Sequence, residues 1–162
     1  MSETKSAQII TAGWLCVLLL VSSAMAGPKH CAPVGGTFLT NVGGFGNNTT
    51  LGVITGDIKG AVGVEILGVK TASDGTTTIT LQHHLVTETG DTVFIDQAQA
   101  IGVFVGPGLL ALTNYHFHLS GGTGRFEGAS GDMSAIGEAD FNTGHLIGRY
   151  TGRICTEATG TP

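Results

Sequence analysis

The chain has 162 residues, with 7 Lys and Arg against 12 Asp and Glu, a net charge of −5, and 27 glycines. A small acidic chain is a poor partner for nucleic acid or an anionic membrane. The glycines lack the period of collagen, Pro is scarce and apolar β-formers are plentiful, which excludes a triple helix and argues against disorder.

Residues 1–6 are polar and carry Lys5; the run Ile9–Val21 is apolar, and Ala24-Met25-Ala26 supplies small residues at a cleavage site. At about 13 residues the run is short of the ~20 needed to cross a bilayer. This predicts a secretory signal peptide over 1–26, cleaved before Gly27, and a mature domain over 27–162. The expected location is secreted or periplasmic, with no membrane attachment after cleavage. Cys16 leaves with the leader. Export makes a Cys31–Cys155 disulfide the expectation; a redox or metal role for the two cysteines is the alternative, and it lacks a CxxC or a nearby His.

Short alternating runs follow, separated by Gly, Asn, Asp and Ser, and no helix-period stretch of convincing length interrupts them. The pattern predicts eight strands near 36–42, 51–59, 61–69, 76–88, 92–104, 111–120, 130–138 and 145–154. Asp74-Gly75 and Gly90-Asp91 mark tight turns, and Gly106-Pro107-Gly108 separates the fifth run from the sixth. Short connections imply antiparallel neighbours. The fold class is therefore all-β: a single eight-stranded antiparallel up-and-down barrel, which removes exposed sheet edges. A two-sheet sandwich is the alternative. The tail after Cys155 is expected to be loose. Asn47-Asn48-Thr49-Thr50 holds two overlapping glycosylation acceptors, relevant only to a eukaryotic secretory pathway.

Residues 121–131, GGTGRFEGASG, resemble the glycine-rich segment that links two late strands in the allene oxide cyclase-like and dirigent-like β-barrels. The ending at 144–155, GHLIGRYTGRIC, is similar to the closing strand of small bacterial members. The resemblance implies a small antiparallel barrel with an apolar cavity at one end, in a homotrimer in many members. It also implies cyclisation or stereoselective coupling of a reactive small molecule, without a cofactor. The matched segment carries turn geometry, so it transfers no catalytic residue.

Side chains alternate faces along a strand, so parity sorts the polar residues. In 76–88, Ile79, Leu81, His83 and Leu85 share one face, which sets His83 among aliphatics as a hydrogen-bonded core residue or a cavity acid/base. In 61–69, Glu65 shares a face with Ala61, Gly63, Leu67 and Val69; in 92–104, Asp96 shares one with Phe94, Ala98, Ala100 and Phe104. Either carboxylate needs a partner or water if buried, and both could equally be surface charges. Glu65, His83 and Asp96 are the candidate catalytic residues. In 111–120, Leu112, Asn114, His116 and His118 share a face opposite Thr113, Tyr115, Phe117 and Leu119. The H-x-H pair, about 7 Å apart, could converge on a metal if the barrel brought His84, Asp96 or Glu65 close as a third ligand; a solvated or hydrogen-bonded polar face is the alternative, and no metal is favoured. Phe94, Phe104 and Tyr150 are candidate ligand-binding walls, with core packing as their alternative use. On 130–138 and 145–154, Asp132, Ser134, Ile136 and Glu138, with His145, Ile147, Arg149, Thr151 and Arg153, are expected outside.

Motifs for nucleophilic serine chemistry, phosphate loops and zinc proteases are absent. The preferred function is a secreted barrel that binds a small apolar molecule and guides its cyclisation or coupling, with no cofactor. A non-catalytic ligand-binding barrel, or a structural and assembly module, is the alternative.

Overall fold

The computed structural model describes residues 29–43 and 46–157; the predicted leader, Phe45 and the residues after 157 lie outside the described residues. The chain forms β1 (Lys29–Val42), β2 (Thr49–Gly56), β3 (Gly60–Thr71), β4 (Thr76–Thr87), β5 (Thr92–Ile95), β6 (Ala98–Gly106), β7 (Leu109–Gly122), β8 (Ser130–Asp140) and β9 (His145–Glu157). Each neighbouring pair is antiparallel, and β1 pairs with β9, so the sheet closes on itself. β5 and β6 both lie between β4 and β7 and together make one stave. The result is a closed eight-stave barrel in up-and-down order, and the sandwich is set aside.

The fifth predicted run is thus two strands, broken at Asp96-Gln97. The break is stitched from both sides: Gln82 Nε2 donates to Ile95 O at 3.0 Å, and Asp96 N donates to His118 O at 2.9 Å. Strict alternation survives in β4, β8 and β9. In β4 the inward set Thr77, Ile79, Leu81, His83, Leu85 and Thr87 is buried throughout. The β3–β4 turn forms because Gly75 takes φ of 85° and Asp74 Oδ1 accepts Thr76 N at 2.9 Å.

Cys31 and Cys155 stand directly opposite each other on β1 and β9 and form a disulfide. It sits at one end of the barrel, and that end is plugged from within. There the GGTGRFEGASG segment turns through a 3₁₀ step at Gly124–Phe126 and tucks Phe126 and Ala129 into the core. Arg125 lies over the Phe126 ring at 4.9 Å and pairs with Asp91 at 3.5 Å, which holds the plug against the β4–β5 turn. Glycines admit the large side chains that cross the interior. A methyl group on Gly36 would meet Tyr150 Oη at 2.7 Å, and one on Gly148 would strike the Phe38 ring.

Candidate functional site

The unplugged half of the barrel holds a cavity of about 90 Å³. For scale, an apolar cavity of about 150 Å³ binds benzene; this space is smaller and continues into an open mouth, which limits an occupant to about one ring. Phe38, Leu81, Leu112, Phe117 and Met133 form its sides, and Ile58, Leu85 and Tyr150 lie toward the plugged end. Val42, Ile66, Leu146 and Phe141 rim the mouth, at the end carrying the β1–β2 and β8–β9 turns. These rim residues are half-buried or exposed, whereas Leu85 and Tyr150 are fully buried. The mouth therefore opens away from the disulfide.

Besides Thr40 and Thr50, one polar pair stands in this apolar wall. His83 comes from β4, where parity turns it inward, and Tyr115 comes from β7, where Tyr115, Phe117 and Leu119 alternate with outward histidines. The Tyr115 hydroxyl and His83 Nε2 are hydrogen-bonded, and the His83 ring stacks on both Tyr115 and Phe117 with centroids 5.7 Å away. Burial, helped by neighbouring His84, pushes His83 down from 6.5 to about 4, and burial pushes the Tyr115 phenol far above its usual 10. Both groups are therefore neutral at neutral pH. The direction of their bond is assigned from chemistry: a phenol is the stronger donor and a neutral imidazole nitrogen the stronger acceptor. The Tyr115 O–H then donates to Nε2, which leaves the proton on Nδ1, and Nδ1 is buried with no partner among the described residues. A raised phenol and a depressed imidazole resist ionisation, so the pair offers the cavity a neutral hydrogen-bond donor and not a charge.

Tyr150 lines the cavity with its ring only. Its hydroxyl accepts from Ile58 N at 3.1 Å and donates toward Thr55 O and Ile58 O at 3.2 and 3.3 Å, bracing the β2–β3 turn. Burial raises its pKa as well.

The other candidate residues stand outside the cavity. Glu65 is exposed on the outer face of β3, because Val62, Val64 and Ile66 take the inner face. Asp96 is exposed at the β5–β6 break, and that break separates the face it was expected to share: Ala98 and Ala100 point inward while Phe94 and Phe104 are about half exposed on the outside. Phe104 reaches the mouth only as an outer neighbour of Phe141, with ring centroids 6.3 Å apart. A register shift between Leu112 and Tyr115 likewise turns Leu112 inward, against its expected grouping with the histidines. His116 and His118 are exposed and each has its own partner on β8, Ser134 at 2.9 Å and Asp132 at 2.8 Å. Among the described residues no three His, Cys, Asp or Glu side chains gather as metal ligands. Asn47 and Asn48 are exposed beside the mouth.

Sequence reading did not single out Tyr115. The signal was present: its parity matches Phe117 and Leu119, and an inward hydroxyl needs a partner such as the inward His83.

No family profile and no curated protein sequence matches the chain. Among solved structures it is similar to the pterocarpan synthase dirigent protein GePTS1, with a TM-score of 0.50 and 13% identity over 82% of this chain and 93% of that one. It is also similar to the pterocarpan synthase dirigent protein PsPTS1, with a TM-score of 0.35 and 16% identity over 80% of this chain and 97% of that one. The chain thus has a dirigent-like β-barrel fold, as the resemblance at 121–131 led us to expect.

Proposed function

We propose that this is an exported barrel that takes a small, uncharged, largely apolar molecule into its cavity and guides its cyclisation or coupling. One observation carries the reading: a largely apolar cavity holds a neutral histidine–tyrosine pair whose imidazole N–H has no partner among the described residues. The wall would exclude water and fix the ligand's shape. His83 would hold one ligand oxygen, so that a reactive molecule folds along one path. The pterocarpan synthase dirigent protein GePTS1 shares the fold and adds support for the class of chemistry. The Cys31–Cys155 disulfide and the leader-like 1–26 segment support export.

Native mass spectrometry of the protein purified from its own host tests this. We expect an organic adduct that disappears when the half-buried mouth residue Ile66 is changed to Trp. A wild-type protein that carries no adduct and takes up no toluene would overturn the reading.

The same spectrum reports assembly, for which the outer wall offers one observation. Val86, Ala61, Val53, Leu39 and Ile147 are direct cross-strand neighbours on β4, β3, β2, β1 and β9, and all are exposed. They form an uncharged strip roughly 19 Å long at one strand spacing per step. Such strips mark interfaces, and the wall of a second copy is a surface of matching length. Leu39→Lys should then convert an oligomer to monomer.

A further inference from the structure

Four threonines are buried among the described residues, and they divide cleanly. Thr77 and Thr87 lie away from the cavity, and their hydroxyls are bonded to Thr71 and Thr89 at 3.0 and 2.9 Å. Thr40 and Thr50 line the cavity, are 2% and 5% exposed, and their hydroxyls have no partner. Buried hydroxyls are nearly always paired. That the two unpaired buried threonines among the described residues both face the cavity points to a partner that enters it.

Register fixes where these groups lie. Thr40 pairs with Gly52, and Thr50 pairs with Val42, so the two threonines are diagonal neighbours on the inner faces of β1 and β2. Gly52 opposes Thr40 without a side chain to cover its hydroxyl. Thr50 also heads a cross-strand row through Val64 to His83. His83 and Thr50 are therefore two strand spacings apart, about 10 Å between backbones, with inward side chains that close part of the gap. His83 Nδ1 is the third unpaired buried atom, and it belongs to the same β1–β4 arc. Apart from Tyr115, whose hydroxyl is bonded to His83, the facing arc offers Ala100, Leu112, Phe117, Met133, Ala139 and Leu146, all apolar.

We propose that the natural occupant carries two uncharged oxygen groups on one edge, several ångströms apart, one held by the Thr40 and Thr50 hydroxyls and the other by His83 Nδ1. The inference rests on the binding function proposed above and specifies its ligand: an alcohol, phenol or ketone at each end of an apolar body of about one ring. Oxygens on adjacent carbons could not reach both anchors. A carboxylate or ammonium group would enter with no counter-charge in the wall.

The test is a calorimetric titration of the purified chain with toluene and with 4-hydroxybenzyl alcohol, repeated on the Thr40→Val, Thr50→Val double variant. Valine keeps the shape and removes only the hydroxyl. The alcohol should bind the double variant about tenfold more weakly or worse, at roughly fivefold per hydrogen bond lost, while toluene binding holds or tightens. The unliganded double variant should also melt higher, since it no longer buries two unpaired hydroxyls. Toluene binding together with unchanged alcohol affinity would overturn the two-oxygen ligand and leave the apolar cavity standing. Binding of neither probe to the wild type would overturn the cavity reading and this inference with it. A double variant that melts lower would show the hydroxyls to be satisfied within the chain, and would also overturn the inference.

Discussion

Replacing both Cys31 and Cys155 with Ser should destabilise the barrel by roughly 4–5 kcal/mol, the chain-entropy value for a loop of about this length. The two cysteines are 124 residues apart in sequence. Their bond removes from the unfolded ensemble nearly every conformation in which β1 and β9 are far apart. At about 2–4 °C per kcal/mol for a chain of this size, the melting temperature should fall by on the order of 10 °C or more. Denaturant titration of both proteins without reductant measures the difference. The competing account is that the β1–β9 ladder, running from Lys29 opposite Glu157 to Asn41 opposite His145, holds the seam by itself. A change below about 1 kcal/mol would favour the ladder and set aside the loop-entropy argument.

Acid should loosen the cavity, and His83 should be the largest single cause. Its pKa is depressed in the folded chain, from 6.5 to about 4. Above 6.5 the imidazole is neutral whether the chain is folded or not, so pH has no effect through this group. Between 6.5 and 4 the unfolded chain binds a proton that the folded chain refuses, and stability falls as pH falls. The full loss is on the order of 3 kcal/mol, at 1.36 kcal/mol per unit. Asp74 and Asp140 also lose stability in acid, because backbone and side-chain hydrogen bonds from Thr76, and from Asn142 and Thr143, hold them below the usual carboxylate range. Those effects are common to wild type and to His83→Gln, which keeps an acceptor for Tyr115 and removes the titration. The difference in unfolding free energy between the two proteins, followed from pH 7.5 to 4, isolates His83. Parallel curves would show that the imidazole protonates freely and is therefore not sealed in the wall.

Much of the barrel was legible because its wall follows the period-2 rule with few exceptions. β4, β8 and β9 alternate cleanly, so parity alone places His83, Met133, Ala135 and Tyr150 inside. The failures have local causes. The Asp96-Gln97 break and the shift between Leu112 and Tyr115 each displace the alternation, and neither carries a Gly or Pro to announce it. On β3 both faces are largely apolar, with Val62, Val64 and Ile66 inside and Ala61, Leu67 and Val69 outside, so parity grouped Glu65 correctly without showing which group faced the core. The site itself was half legible. His83 stood out as an inward imidazole, but its partner Tyr115 lies 32 positions away on another strand, and Thr40 and Thr50 read as ordinary strand residues. Their meaning comes only from pairing across strands, which alternation within one strand does not encode.

The seam between β1 and β9 also constrains the order in which this molecule can be built. The first described strand finds one of its two neighbours only when the last one arrives, so the ring cannot zip shut progressively from hairpins alone. Until then β1 offers an unpaired edge to any other chain it meets. Closure of this kind spans most of the sequence, which makes folding slow compared with that of local hairpins. The Cys31–Cys155 bond spans this same seam, so once formed it holds the ring at the joint that closes it.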